Sequence, residues 1–302
     1  MSLANKRFSK YRIKKQLEWY SFLLPSLFCL IFLSYTPLAK AILYSFNKVS
    51  ATTFETTYIG LKNYANLLSS RRFVEAIGNT FVLAFYSLIS IPVGFLMAVA
   101  MNSITAKKVQ SFFRVALYMP NIITGVSIIL IFRFILLENG GLLNEFLGLI
   151  TGMDVKIGWL TSKGWVHAGV TIISAWSGIG YCMLICLAGL QSIPSVYYEA
   201  ASMDGANARQ KLLHITLPGI LPTLVFLLIT RMIAGLSRFD DLFIIGGPGR
   251  SLHTILRYIY TNSFEASSPN YGLASAAAVV FMMLVTLATV INLTLTKALK
   301  EE

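Results

Sequence analysis

The chain has 302 residues, of which 56% are hydrophobic and only 13% charged, and its mean hydropathy is +0.68. Charge at about half the usual ~25% excludes a disordered chain and leaves too little polar surface for a soluble domain, so a polytopic membrane protein fits. The net charge of +12 does not indicate a nucleic-acid partner. Lys6, Arg7, Lys10, Arg12, Lys14 and Lys15 cluster before the first apolar run, where basic residues hold an N-terminus in the cytoplasm.

Stretches free of Asp, Glu, Lys and Arg mark the predicted spans, each needing about 20 residues. Residues 1–18 are expected as a basic cytoplasmic N-terminus and residues 19–44 as the first transmembrane helix, with Trp19–Ala39 its apolar run. Ala39-Lys40-Ala41 imitates a signal-peptide cleavage site, but a 21-residue apolar run is too long for a signal core, so an uncleaved span is expected. The second span is Ala76–Ala106, with a kink expected at Pro92. The third is Val115–Phe132, running on through Arg133 to Leu137. The fourth lies within Val166–Leu190, the fifth within about Ile220–Leu236, and the last at Leu273–Leu293. Residues 76–296 thus form a five-helix core that includes a loop at 191–219, and residues 297–302 a cytoplasmic tail. All-helix follows because backbone in lipid must satisfy its own hydrogen bonds and no segment alternates like a barrel strand.

With the N-terminus inside, cytoplasmic segments hold thirteen Lys and Arg against nine outside, and without the N-terminal cluster seven against nine. The orientation therefore rests on the first helix. Cys29, Cys182 and Cys186 all lie in apolar runs without His or acidic neighbours, and they read as small buried hydrophobes rather than metal ligands.

The loop from Gly189 to Pro218 carries the most information. Pro194 suits a first helical turn, and Ser192 or Ser195 can cap it. Tyr197, Tyr198, Glu199, Ala200 and Ala201 suit a short helix, with Glu199 favoured near its N-terminus and Gly205 supplying a stop able to take positive φ. A second short helix is expected from about Ala208 to Leu213, before Pro218 and Pro222. The small alanines and one acidic residue make a face that another protein can approach closely.

The pattern Glu199-Ala200-Ala201, three residues, Gly205, nine residues, Ile215-x-Leu217-Pro218 resembles the EAA loop of binding-protein-dependent ABC-transporter permeases. Leu190-Gln191-Ser192-Ile193-Pro194 and Asp204-Gly205-Ala206 resemble the carbohydrate-importer type in particular. The likeness extends through Gly60-Leu61-Lys62-Asn63-Tyr64, Asn79-Thr80, Pro120, Gly141-Leu142-Leu143-Asn144, Trp159-Leu160, Trp176, Gly246-Gly247-Pro248 and Tyr271-Gly272-x-Ala274-Ser275-Ala276. It implies an all-α fold of six transmembrane helices with a cytoplasmic coupling helix between spans four and five. It also implies that Glu199, Ala200, Ala201, Asp204, Gly205, Ile215, Leu217 and Pro218 contact a separate ATPase. The implied assembly holds a second permease, identical or different, two ATPase subunits binding ATP-Mg, and an extracellular solute-binding protein. Its setting is a bacterial-type plasma (inner) membrane, with both termini cytoplasmic, and its implied cargo is an oligosaccharide or related polyol.

The chain has no G-x-x-x-x-G-K-[ST] loop, so no cofactor is expected on it and ATP hydrolysis is expected elsewhere. Gly246-Gly247-Pro248-Gly249 reads as a tight turn, and the Thr expected shortly before it is replaced by Ile244-Ile245. His167, His214 and His253 are scattered, and no protease or hydrolase motif is present, so a non-catalytic chain is expected.

The residues offered for a substrate path are Trp176, Tyr181, Tyr258 and Asn262, together with Arg231 and Asp240. Aromatic rings with amide neighbours suit a polyol's C–H faces, although interfacial aromatics and helix packing explain each one singly. Arg231 lies inside the fifth span, where a central charge costs roughly 2.5–3.5 kcal/mol on insertion scales. It either snorkels, faces a water-filled path, or pairs with a carboxylate such as Asp240. Asp240-Asp241 is either a solvated turn or a polar lining. The competing reading, an ion-coupled secondary transporter of a small polar solute, needs intramembrane carboxylates, and the span cores contain none.

Overall fold

The computed structural model describes residues 19–123, 125–239, 245 and 252–301, with side chains to residue 294. Among the described residues, five helices are long and apolar enough to cross a membrane, and a sixth crossing results if one bent pair counts as a span. Two contact-defined units divide the chain, one of residues 1–67 and 262–280, the other of residues 68–261 and 281–302.

In the first unit, α1 (Trp19–Ser45) exposes nearly all its side chains as far as Ala39, as a helix facing lipid would. Its register widens to a π turn at Ile31–Tyr35, where the Thr36 N–H and hydroxyl both donate to the Ile31 carbonyl. The cause is Pro37, whose ring has no N–H and would clash with the carbonyl four residues earlier. An antiparallel hairpin follows, β1 (Asn47–Val49) with β2 (Thr56–Tyr58), pairing Asn47 with Tyr58 and Val49 with Thr56. Sequence reading did not anticipate this small sheet. Its loop holds Phe54 at φ 57°, a strained value for a bulky residue, and the ring stacks on Tyr271 at 5.6 Å. The Gly60–Tyr64 motif enters α2 (Lys62–Ser69), where Asn63 Nδ2 donates to the carbonyls of Ser45 and Asn47 at 2.9 Å each. Tyr64 lies 2.7 Å from Ser45 Oγ, and Gly272 packs against the Asn47 carbonyl. Two sequence motifs more than 200 residues apart thereby close one unit.

The second unit carries the remaining elements, the last helix only from residue 281 onward. The second span, Arg71–Asn102, is α3 (Arg71–Ser87) and α4 (Ser90–Asn102), broken at Leu88 and Ile89. Leu88 is four residues before Pro92, so the expected kink falls where a proline ring forces it. The third span departs from the single helix expected: α5 (Lys107–Ile122) and α6 (Gly125–Ile135) are inclined at 97°. Pro120 sits in the last turn of α5, and Gly125 opens α6. The short α7 (Leu142–Thr151) is followed by α8 (Val166–Gln191), the fourth span. Asn144 is buried and accepts from Trp159 Nε1 at 2.8 Å while donating to three carbonyls, which fixes the connection before α8.

After α8 comes α9 (Ser195–Met203), then α10 (Ala208–Leu236), α11 (Ile255–Tyr260) and α12 (Tyr271–Glu301), whose apolar span is Tyr271–Thr294. The short helix expected at Ala208–Leu213 is not separate; it is the first part of α10. A π turn at Leu212–Thr216 absorbs Pro218, just as Ile31–Tyr35 absorbs Pro37. The core of this unit packs Ala98 and Met101 of α4 and Cys182, Met183 and Cys186 of α8 against Ile220 and Leu227 of α10. Cys182 and Cys186 are free and buried, as their apolar settings implied, whereas Cys29, expected to be buried with them, is exposed on α1.

Candidate functional site

Two places in the second unit have the makings of a site. The first is α9. Its N-cap is Pro194, with no side-chain cap, whereas the Ser192 hydroxyl donates to the Gly189 carbonyl at the end of α8. The capping role assigned to Ser192 or Ser195 is therefore corrected: the N-cap is a proline with no side-chain acceptor, the Tyr197 N–H donates to the Pro194 carbonyl instead, and Ser192 closes the preceding helix. The C-terminal stop is as expected, with Gly205 at φ 76° and Ala206 N donating to the Ala201 carbonyl at 2.8 Å. A capping box then starts α10: Gln210 N donates to Asn207 Oδ1 at 2.9 Å and Asn207 N to Gln210 Oε1 at 2.8 Å. The Asn-x-x-Gln spacing signals it in the sequence.

These caps leave α9 standing clear of the body. Glu199, Ala200, Asp204 and Gly205 are exposed, as are Val196, Tyr197 and Met203, the last at 89%. Ala201 and Ile215 are half-buried, and Leu217 and Pro218 are exposed. Tyr198 points inward, its hydroxyl 3.0 Å from the buried Thr216 Oγ1, and Lys211 Nζ donates to Ser202 Oγ at 2.7 Å. Both tethers end on α10. Between them Ala200, Ala201, Asp204, His214 and Ile215 line a cleft of about 520 Å³. The arrangement offers an apolar, small-residue face with acidic residues beside it, carried on a helix fixed to a span.

The second place is a cavity of about 260 Å³ among α3, α6, α8 and α10, slightly smaller than the roughly 300–1,000 Å³ of small-molecule sites. Ser87, Ser174, Ser177, Ser237, Arg231 and Arg238 supply its polar lining. Arg231 Nε donates to Ser90 Oγ at 3.1 Å, and Ser90 in turn donates to the Ser87 carbonyl at 2.7 Å, which aims its lone pairs at the guanidinium. Ser87 Oγ donates to the Arg231 carbonyl at 2.9 Å. A Cβ at Gly178 would stand 2.4 Å from Arg231 Nη2, so only glycine leaves room for the guanidinium here. Arg238 lies beyond the end of α10, and burial, with the Arg231 charge second, pushes its guanidinium down. Guanidinium resists deprotonation, so the pair keeps positive charge in the cavity at neutral pH.

Of the residues offered for a substrate path, the structure places Arg231 in this cavity. Trp176 packs edge-on to Phe132 at 5.2 Å, and Tyr181 packs on the Cys182 core cluster. Tyr258 is buried with its ring 5.2 Å from Phe73, and the Asn262 carbonyl accepts from Asn270 N. Asp240, Asp241 and Gly246–Pro248 lie outside the described residues. Sequence reading missed Ser87, Ser90, Ser174, Ser177, Gly178 and Arg238. A faint signal exists in Ser174 and Ser177, three apart on one helix face, and in Arg231 and Arg238, seven apart. A third grouping joins Asn79 to His167 at 3.2 Å and to the His253 carbonyl at 3.0 Å.

Comparison with known proteins bears on both places. Residues 90–301 match the family described as "Binding-protein-dependent transport system inner membrane component". The arabinooligosaccharides transport system permease protein AraP of Halalkalibacterium halodurans is 31% identical over 289 residues, covering 93% of this chain and 88% of AraP. The multiple sugar-binding transport system permease protein MsmF of Streptococcus mutans is 29% identical, covering 94% and 97%. Among solved structures, a bacterial ABC transporter involved in the import of the acidic polysaccharide alginate contains a chain that superposes with a TM-score of 0.83 at 25% identity, covering 97% of this chain and 99% of that one. The chain is a multi-pass membrane protein and belongs to the family of inner membrane components of binding-protein-dependent transport systems.

Proposed function

We propose that the chain is the permease subunit of an ATP-driven importer for an oligosaccharide or related polyol. In this reading it pairs with a second permease, two ATPases that bind ATP-Mg, and an extracellular solute-binding protein, and catalyses no covalent chemistry itself. Both termini face the cytoplasm, and α9 is the coupling helix seated on an ATPase, with Glu199, Ala200, Ala201, Asp204 and Gly205 at the contact. The observation that carries the reading is the exposed α9, bearing the Glu199-Ala200-Ala201 of an EAA pattern that continues through Gly205 to Pro218 on α10, on a chain whose relatives are named as sugar-transport permeases.

The geometry suggests how movement would travel. α9 is tethered to Thr216 and Lys211, both on α10, and the same continuous helix carries Arg231 fifteen residues beyond Thr216. At a rise of about 1.5 Å per residue that is roughly 22 Å, so a shift at the coupling face reaches the cavity along one rigid element. ATP binding can favour one state of the path only through a difference in the partners' affinity for the two states, and α9 is where that difference would be applied. Vesicle transport tests the reading: depletion of ATP with the ion gradient held should stop saccharide uptake. Collapse of uptake by an uncoupler with ATP maintained would instead support an ion-coupled secondary transporter.

A further inference from the structure

The helix α7 is too short to cross a membrane and too apolar to face water. Its ten residues rise about 15 Å, half of a hydrocarbon core of about 30 Å, and an apolar stretch of that length belongs in a protein core or at a membrane interface. It is not a core helix, since Asn144 is the one buried residue of α7. Leu143 and Leu147 pack on a cluster that holds Ile128 and Phe132 of α6 and Ile173 of α8, so α7 lies against the fourth span. Asn144 fixes its roll, through Trp159 Nε1 and the carbonyls of Leu137, Glu138 and Ile157. The remaining arc points away from the protein. Leu142, Phe146, Leu149 and Ile150 share one face at helical spacing and are all exposed, Leu149 at 84%, and Met153 continues them past the Gly152 cap. Glu145 alone brings charge to the edge of this arc, and no Lys or Arg occurs from residue 134 to residue 155. A helix that is apolar on its packed side and on its open side is suited to lipid, because water would call for polar side chains on the open one. The lack of cations directs it to acyl chains rather than to anionic headgroups.

We propose that α7 is a lipid anchor, lying along the membrane interface with Leu142, Phe146, Leu149, Ile150 and Met153 seated among acyl chains, in the outer leaflet on the orientation given above. Asn144 and Trp159 tie α7 to the connection that opens α8, so the anchor braces one end of the fourth span against the bilayer. The inference goes beyond the importer reading and does not depend on which solute is moved.

The test uses the assembled transporter in phosphatidylcholine nanodiscs, with Cys29→Ser as background, since Cys182 and Cys186 are buried and escape labelling. Leu149→Cys carrying an NBD fluorophore is compared with Thr151→Cys, on the other side of α7, and with Lys48→Cys in the β1–β2 hairpin, both exposed positions. Nitroxide-bearing lipid should quench residue 149 at least threefold more than residue 151, and a nitroxide near the headgroup should quench it at least twofold more than one deep in the acyl chain. Aqueous iodide should quench residue 149 at least fivefold less than residue 48. Phe146→Cys repeats the reading, so that one poorly folding variant does not decide it. Exchanging half of the lipid for phosphatidylglycerol should change lipid quenching at residue 149 less than twofold. Iodide quenching at residues 146 and 149 equal to that at residue 48 would overturn the anchor in favour of a water-exposed face. Quenching by neither lipid nor iodide would overturn it in favour of a face covered by a second permease. Equal lipid quenching at residues 149 and 151, strongest quenching by the deep nitroxide, or quenching that requires phosphatidylglycerol would each contradict acyl-chain contact at the interface. None of these readings needs transport, so failure of the anchor is distinguishable from failure of the importer reading.

Discussion

At α9 the side chains that distinguish the helix point outward. Glu199, Ala200, Asp204 and Met203 are exposed, and only Tyr198 and Ser202 reach back to α10. At the Arg231 cavity the polar side chains converge inward from several helices, and the empty space beside Gly178 matters as much as any contact. On the proposed function, one region is a contiguous stretch that meets another macromolecule, and the other is assembled from distant residues to enclose something small. Substitutions at the two should therefore fail differently: at α9 through lost communication with ATP hydrolysis, at the cavity through lost handling of cargo.

The largest effect is expected at the outward face. Glu199→Lys and Gly205→Asp should each reduce substrate-stimulated ATP hydrolysis more than tenfold while the protein remains in the membrane. The first reverses the charge of the face, and the second places a side chain at φ 76°, a region that favours glycine. Full coupling in both would remove the distinction between the regions. At the cavity, Gly178→Ala should drive the Arg231 guanidinium from its seat, lowering saccharide uptake about five- to tenfold; overpacking of this kind costs about 1–3 kcal/mol. Maximal ATP hydrolysis should change far less than uptake, which is how the variant differs from those at α9.

A smaller effect belongs to the tether. Tyr198→Phe removes a hydrogen bond worth about 1 kcal/mol, and coupling efficiency, measured as ATP hydrolysed per saccharide moved, should worsen about two- to fivefold. The smallest concerns neither region and serves as a control. His253 is held below its ordinary range by burial first, then by Arg72 and Arg257, with Glu75 opposing. A base whose folded pKa is depressed is fully stabilising above the unfolded value of about 6.5, and that contribution is lost as pH falls below it. Thermal stability should therefore drop between pH 7.5 and pH 5.5, and His253→Gln should flatten that slope without altering coupling.

The same contrast explains what could be read in advance. Spans were legible because charge cannot be hidden in lipid, and α9 was legible because its helix formers and Gly205 stand together in sequence. Boundaries failed where proline has two outcomes. Pro218 and Pro222 suggested a break after Leu213, but a π turn lets α10 run through, while Pro92 does break its span and the third span turns between Pro120 and Gly125. Local sequence does not say whether neighbouring contacts will reward a widened register or a turn. Ser192 failed for a related reason, since it lies within reach of two helix ends and bonds to the earlier one. The cavity was illegible except for Arg231, because Ser87, Ser174 and Gly178 acquire meaning only when three helices meet.

The central claim, that α9 is the surface that meets the ATPase, is open to direct test at Met203, its most exposed large side chain. With Cys29 changed to Ser and Met203→Cys introduced, cysteines placed along the ATPase groove in the assembled transporter should form a disulfide with residue 203. The adduct should have the summed mass of the two chains, and uptake should return on reduction. If residue 203 forms no adduct at any groove position and stays freely labelled by a water-soluble maleimide in the intact complex, α9 does not meet the ATPase.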